Sequence, residues 1–190
     1  MFQKKIAVAA LALASGLSLS GCTIASTSNH MNHGTIIEES SDFSNADIMF
    51  AQMMIPHHQQ AVDMGTLAEA RTNDPSVRAL AAQIKSEQVP EIIQMKSWLS
   101  ESDSNMNMGH EMGMNGMLSD AEMAELTNSS GTAFDVLYLA GMIAHHQGAI
   151  SMAQTVVNSE NAEVKALAEA IISSQTKQIT ELQNLLAAVS

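Results

Sequence analysis

Two stretches of the chain set adjacent histidines among methionines: "MMIPHHQQAVDMG", Met53 to Gly65, and "GMIAHHQGAISMA", Gly141 to Ala153. Imidazole nitrogen and thioether sulfur are both lone-pair donors, and their natural common partner is a soft metal ion. Thioethers select Cu(I), imidazole suits several transition metals, and Ag(I), a softer ion of the same charge, should follow. On a helix, residues four or seven apart share a face. His58 stands one turn after Met54 and His57 two turns before Met64; His146 stands one turn after Met142 and His145 two turns before Met152. Each stretch thus offers imidazole and thioether on one face, twice over. Successive residues point about 100° apart, so His57 and His58 are not expected to face the bundle axis together.

Methionine also fills gaps in ordinary cores, and a lone inward histidine is commonly a satisfied core residue. Two stacked His pairs, each followed by Gln, are harder to treat as filler, because a buried imidazole without partners is costly. Di-iron chemistry on a helical bundle uses glutamates from two helices and a Glu-x-x-His motif from each of two more. No Glu-x-x-His occurs, and only Asp47, Asp63 and Asp135 lie near the pairs on the same helices. A copper or di-iron redox enzyme is therefore the second reading, and a metal-free interaction module the third. No Ser or Cys sits in a recognisable nucleophile setting, and no Gly-rich phosphate loop is present. No reaction is required of the leading reading: binding and sequestration of copper, Cu(I) before Cu(II), in support of metal homeostasis or tolerance.

A second donor cluster lies between the two stretches. Met106, Met108, Met112, Met114 and Met117, with His110, are spaced by Gly and Asn and show no helical apolar face. Such a segment can wrap a low-coordination ion and pass it on. A shorter "HMNHG", His30 to Gly34, is a weaker candidate.

The thioethers fit the compartment that the start of the chain implies. Lys4 and Lys5 precede an apolar run from Ile6 to Leu17, followed by "LSGC" ending at Cys22. That is the pattern of a secretory signal, and the run is short of the roughly 20 apolar residues needed to span a bilayer. "LSGC" resembles a bacterial lipobox, which implies cleavage before Cys22 and lipidation of its thiol. Cys22 is the only cysteine, so no intrachain disulfide is available. The chain carries 8 Lys+Arg against 20 Asp+Glu, and two of the lysines belong to the leader. This acidity argues against nucleic acid and against docking on anionic lipid through the protein surface. Membrane attachment would come from the lipid at Cys22, facing the periplasm or cell exterior, with metal ions as the partners named by the sequence. Any protein partner is unspecified.

The elements that must position the donors are helices. Residues 1–21 read as the lipoprotein signal, 22–43 as a polar tether and 44–190 as the folded domain. "SNAD", Ser44 to Asp47, fits a capping box, and a helix should run to about Arg71. Asp74 as N-cap and Pro75 at the first turn open a second helix, in which Pro90 predicts a kink. Ser119 and Asp120 open a short helix to about Leu126. Further helices are expected over 132–158 and 162–188, the latter capped by Asn161. The halves match: Asp47, Met54, His57, His58, Gln59, Ala61 and Met64 recur 88 residues on, and the following helices match at 87, Gln88 with Gln175. Repeat one covers 44–100, the Met-rich loop 102–117 and repeat two 130–188. Neither hairpin can bury its stripe alone, which predicts an all-α, antiparallel four-helix bundle built from a duplicated hairpin.

The doubled M-x-x-H-H-Q-x-A-x-x-M pattern, with Asp47 and Asp135 before it, resembles a bacterial domain-of-unknown-function family of exported, ferritin-like four-helix proteins. The resemblance covers about residues 44 to 188. It implies the ferritin-like bundle, and it implies copper or silver binding outside the cytoplasm, as in some members. Carried over position by position, it implies Met54, His57, His58, Met64, Met142, His145, His146 and Met152 as ligands. Pro56 and Ala144 differ just before the pairs.

Overall fold

The computed structural model describes residues 43–104 and 115–190, all helix, turn and bend. The leader, Cys22, the tether and Met106, Met108, His110, Met112 and Met114 lie outside the described residues. Four long helices and one short one follow in order: α1 (Asn45–Arg71), α2 (Pro75–Glu101), α3 (Asp120–Asn128), α4 (Gly131–Gln154) and α5 (Ala162–Val189). Among the described residues no helix is long and apolar enough to cross a membrane.

The helix starts follow from local chemistry. Ser44 and Asp47 form the expected capping box on α1, and Ser119 with Glu122 forms another on α3. Asp74 and Asn161 accept from the first free backbone N–H groups of α2 and α5. These side chains satisfy donors that a helix end leaves open. α2 remains one helix through Pro90, and α1 through Pro56. α4 ends four residues earlier than the periodicity predicts. There Thr155 N bonds Met152 O and Val156 N bonds Ala153 O, tightening the last turn out of α-geometry.

Two apolar clusters build the core. One joins Phe50, Ala51 and Met54 of α1 to Met95 and Trp98 of α2, Ala149 and Met152 of α4, and Val164 and Leu167 of α5. The other joins Ala61 and Met64 of α1 to Val77 and Leu80 of α2, Tyr138 and Met142 of α4, and Leu182 of α5. Each cluster takes the first half of one repeat's leading helix and the second half of the other's. That pairing is only available when α1 and α4 run antiparallel, and each hairpin partner runs antiparallel to its own leader. The two clusters exchange under the duplication: Phe50 matches Tyr138, Met54 matches Met142, Val77 matches Val164 and Met95 matches Leu182. The predicted duplicated antiparallel bundle is therefore the fold, with α3 as a short addition.

Candidate metal centre

Between the two clusters lies a polar belt. Ile84 and Ile92, one turn either side of Gln88, belong to opposite clusters. His57, His58, His145 and His146 are fully buried, and Gln88, Gln175 and Gln178 are buried with them. The two members of each pair point at different neighbours, as their separation around the helix requires, and both are nevertheless buried. His58 and His146 face their own hairpin partners, while His57 and His145 fill the α1–α4 contact, so both faces are covered. The rings of His57 and His145 lie 3.7 Å apart between centroids. Within each pair the centroids are 6.4 Å apart.

The hydrogen bonds fix the tautomers. The Nε2–H of His57 donates to the carbonyl of Asn115 at 3.3 Å, and that of His145 to the carbonyl of His57 at 3.0 Å. Carbonyl oxygens only accept, so both Nε2 atoms carry the proton. The Nε2–H of His58 donates to the Glu91 carboxylate at 2.8 Å. His146 donates at 2.7 Å to Gln178 Oε1, and the Gln178 amide N–H donates in turn to Glu87 at 2.8 Å. The Glu87 contact orients the Gln178 amide and so fixes its oxygen toward His146. In all four rings Nδ1 is left with its lone pair, buried and without a hydrogen-bond partner. A ring that commits one nitrogen to a carbonyl or carboxylate and leaves the other bare is the arrangement of a metal-ligating histidine.

Burial also keeps His57, His145 and His146 neutral. It pushes His57 down to about 3, helped by the neighbouring His58 and opposed by the Asn115 carbonyl. It holds His145 well below the ordinary range, with the His57 charge adding to the effect. It pushes His146 down to about 4, against the raising effect of Gln178. Neutral imidazole is the form that binds metal. An unperturbed imidazole titrates near about 6.5, which predicts acid release of metal between about pH 7.5 and 5. In the folded protein, proton competition at these three rings moves to lower pH.

The methionines bracket the belt. Met54 and Met152 share one apolar cluster, and Met64 and Met142 share the other. All four are buried, three of them completely. The thioethers thus stand in two pairs, one on each side of the imidazoles. Among the described residues, no three His, Cys, Asp or Glu side chains form a metal cage by themselves. A metal in this belt would need mixed donors, imidazole with thioether or amide.

The far end of the Met-rich loop is built into the site. Gln60 on α1 bonds the Leu118 backbone twice, donating to its carbonyl and accepting from its N–H, each at 2.8 Å. Gly116 takes a φ of 87° and lies against α4, where a Cβ would strike the Ala144 carbonyl. A Cβ on Gly148 would likewise strike the Asn115 carbonyl. Met117 is half-buried in this anchor. The sequence singled out the His and Met candidates but not Glu91, Gln178, Gln60, Asn115 or Gly148. One signal for two of them was available: Glu91 and Gln178 fall at the same offset of 87 as Gln88 and Gln175.

Comparison with known proteins places this geometry in context. No curated protein sequence matches the chain. A protein-family model described as "Domain of unknown function (DUF305)" matches residues 47–186. A DUF305 crystal structure from Streptomyces coelicolor aligns with a TM-score of 0.72 and 36% identity, over 76% of this chain and 92% of that one. A DUF305 fragment from Deinococcus radiodurans aligns at 0.71 and 30%, over 76% and 97%. CopM in its Cu(II)-bound form aligns at 0.63 and 30%, over 76% and 97%. CopM also has similar structures in Cu(I)-bound and Ag-bound forms, at 0.62 and 0.60. The doubled His-His helices, the bundle they cross in and the match over most of the folded chain place this protein in the DUF305 family.

Proposed function

We propose that this protein binds and sequesters copper as Cu(I), and also Ag(I), outside the cytoplasm, and carries out no turnover. The bundle donors are His57, His58, His145 and His146 with Met54, Met64, Met142 and Met152. Met106, Met108, His110, Met112, Met114 and Met117 act as a capture segment for the ion. The leader and Cys22 export the chain and tether it by lipid to the cell envelope, where it supports metal tolerance. The observation that carries this reading is the set of four buried imidazoles, each with Nε2–H committed to an acceptor and Nδ1 unpartnered. Leaving four such atoms dry costs on the order of 1–3 kcal/mol each, a cost that metal binding offsets. CopM, similar over most of its length, binds Cu(I), Cu(II) and Ag in its solved structures.

The test is an anaerobic Cu(I) titration of the mature domain against a competing chelator. Affinity far tighter than micromolar is expected, with a large loss when all four histidines are replaced by Leu. Micromolar affinity, or affinity indifferent to the histidines, would remove the proposal. Oxidation of Cu(I) or Fe(II) by O₂ well above the rate of free metal would replace it with the enzyme reading.

A further inference from the structure

The belt contains two side chains that the copper reading does not use. Gln88 on α2 and Gln175 on α5 are 2% and 1% exposed, and neither the oxygen nor the nitrogen of either amide has a hydrogen-bond partner. They are copies of each other under the duplication, so the same bare amide stands in both halves. Their level in the bundle is fixed. Gln88 lies one turn before Glu91, which bonds His58, and Gln175 lies one turn before Gln178, which bonds His146. The Gln178–Glu87 bond crosses from α5 to α2 beside both residues. Four unpartnered amide atoms in a core are as costly as the four bare imidazole nitrogens, and Leu or Met would fill the same space without that cost.

The chemistry of these atoms differs from that of the methionines. An amide oxygen is a hard, neutral donor, whereas a thioether is a soft one. Cu(II) favours nitrogen and oxygen donors, while Cu(I) favours sulfur. A neutral oxygen also avoids burying a further carboxylate.

We propose that the amide oxygens of Gln88 and Gln175 are metal donors which, with the Nδ1 atoms of His58 and His146, give this central layer a second, oxygen-containing donor set for Cu(II). The inference rests on the copper reading above and extends it. The thioether pairs above and below the layer serve the monovalent ion, and the Gln pair serves the divalent one. The protein is then able to hold copper in either oxidation state on the same imidazoles.

The deciding variant is Gln88→Met/Gln175→Met, in which a thioether of similar length replaces each amide. Cu(II) titration and electron paramagnetic resonance are run beside anaerobic Cu(I) titration on the mature protein. Cu(II) affinity should fall about tenfold or more, the copper hyperfine coupling should change, and Cu(I) affinity should hold or tighten. The potential of bound copper should rise by about 59 mV per tenfold of selectivity gained. If the double variant does not fold, Gln175→Met alone carries the test, with the same sign and a smaller change. An unchanged Cu(II) spectrum and affinity would overturn the inference, leaving the amides as structural groups. Loss of Cu(I) binding on replacing the histidines would still stand in that case. Cu(I) binding indifferent to the histidines would instead remove the copper reading itself.

Discussion

His145 donates its Nε2–H to the main-chain carbonyl of His57, 3.0 Å away, while the two rings lie 3.7 Å apart. The duplication predicts the reciprocal bond, from His57 to the carbonyl of His145. His57 instead donates to Asn115, which enters from the loop between the repeats. A symmetric bundle has therefore been made asymmetric at its centre by one loop carbonyl. The two ring systems are alike in their residues and unlike in what holds them.

The same asymmetry separates the outer rings. His58 leans on a carboxylate, Glu91, and His146 on a neutral amide, Gln178. A carboxylate partner raises the basicity of a ligating imidazole. Glu91→Gln should therefore weaken Cu(I) binding by about tenfold while leaving the fold intact, because the amide oxygen still accepts from Nε2. Gln178→Leu should weaken it at least as much by releasing the His146 tautomer. Competition titrations, with ¹⁵N NMR of the ring nitrogens to read the tautomers, check both. Equal affinity in Glu91→Gln and the parent would show that the carboxylate is idle.

Acid should destabilise the metal-free protein before it protonates the folded rings. His57 and His146 are pushed down to about 3 and about 4 in the folded state. Unfolded imidazoles titrate near about 6.5. A depressed pKa contributes stability that is complete above the unfolded value and is lost as pH falls toward the folded one. Stability should thus decline steadily from about pH 6.5 to about pH 4, by roughly 3 kcal/mol from His146 alone. Trp98 is the single tryptophan and is buried, so urea unfolding followed by its fluorescence gives the curve. A flat profile across that range would mean that these rings are not kept neutral by burial.

Gly148 should resist replacement by Ala. In a helix interior that substitution ordinarily adds about 0.5–1 kcal/mol of stability. Here the new Cβ meets the Asn115 carbonyl, and Asn115 is the acceptor for His57. We expect Gly148→Ala to lower stability by about 1–3 kcal/mol and to weaken Cu(I) binding. The equivalent residue in repeat one is Gln60, which bonds Leu118 twice. Gln60→Ala should loosen the same anchor from the other side. A thermal melt of Gly148→Ala at or above the parent would show that the loop is not seated as described.

The bundle was legible because its signals are local or periodic. Ser44, Asp47, Asp74 and Asn161 announce helix starts by cap chemistry alone. The offsets of 88 and 87 announce two copies that must bury each other. The histidines stood out in the sequence as a doubled pair, but their full burial did not. Periodicity along one helix assigns one inward face, whereas α1 has two, one against α2 and one against α4. The loop anchor was invisible for another reason. Asn115 and Gly116 read as linker composition, and only the approach of their backbone to Ala144 and Gly148 gives them a role.

The Met-rich loop gives the last prediction, and the anchor changes how it must be tested. The sequence suggests deleting residues 105–117, because they carry no periodic apolar face. Such a deletion would remove Asn115 from His57 and Gly116 from α4. It would also ask too much of the chain. Glu91 marks the level of the belt and α2 runs on to Glu101. Those ten residues rise about 15 Å beyond the belt. Asn115 lies back at the level of the belt, against His57, so the connection from Ser104 to Asn115 has to span that distance and cannot be dispensed with. Replacing Met106, Met108, Met112 and Met114 with Gln keeps the span and removes the thioethers. Thermal stability should stay within about 1 kcal/mol of the parent, while bound Cu(I) per chain should fall at neutral pH. The four bundle histidines should retain their share, which their replacement by Leu then removes. If the Gln variant keeps the full Cu(I) complement and the parent rate of uptake, the loop is only a connection between repeats, and its methionines take no part in binding.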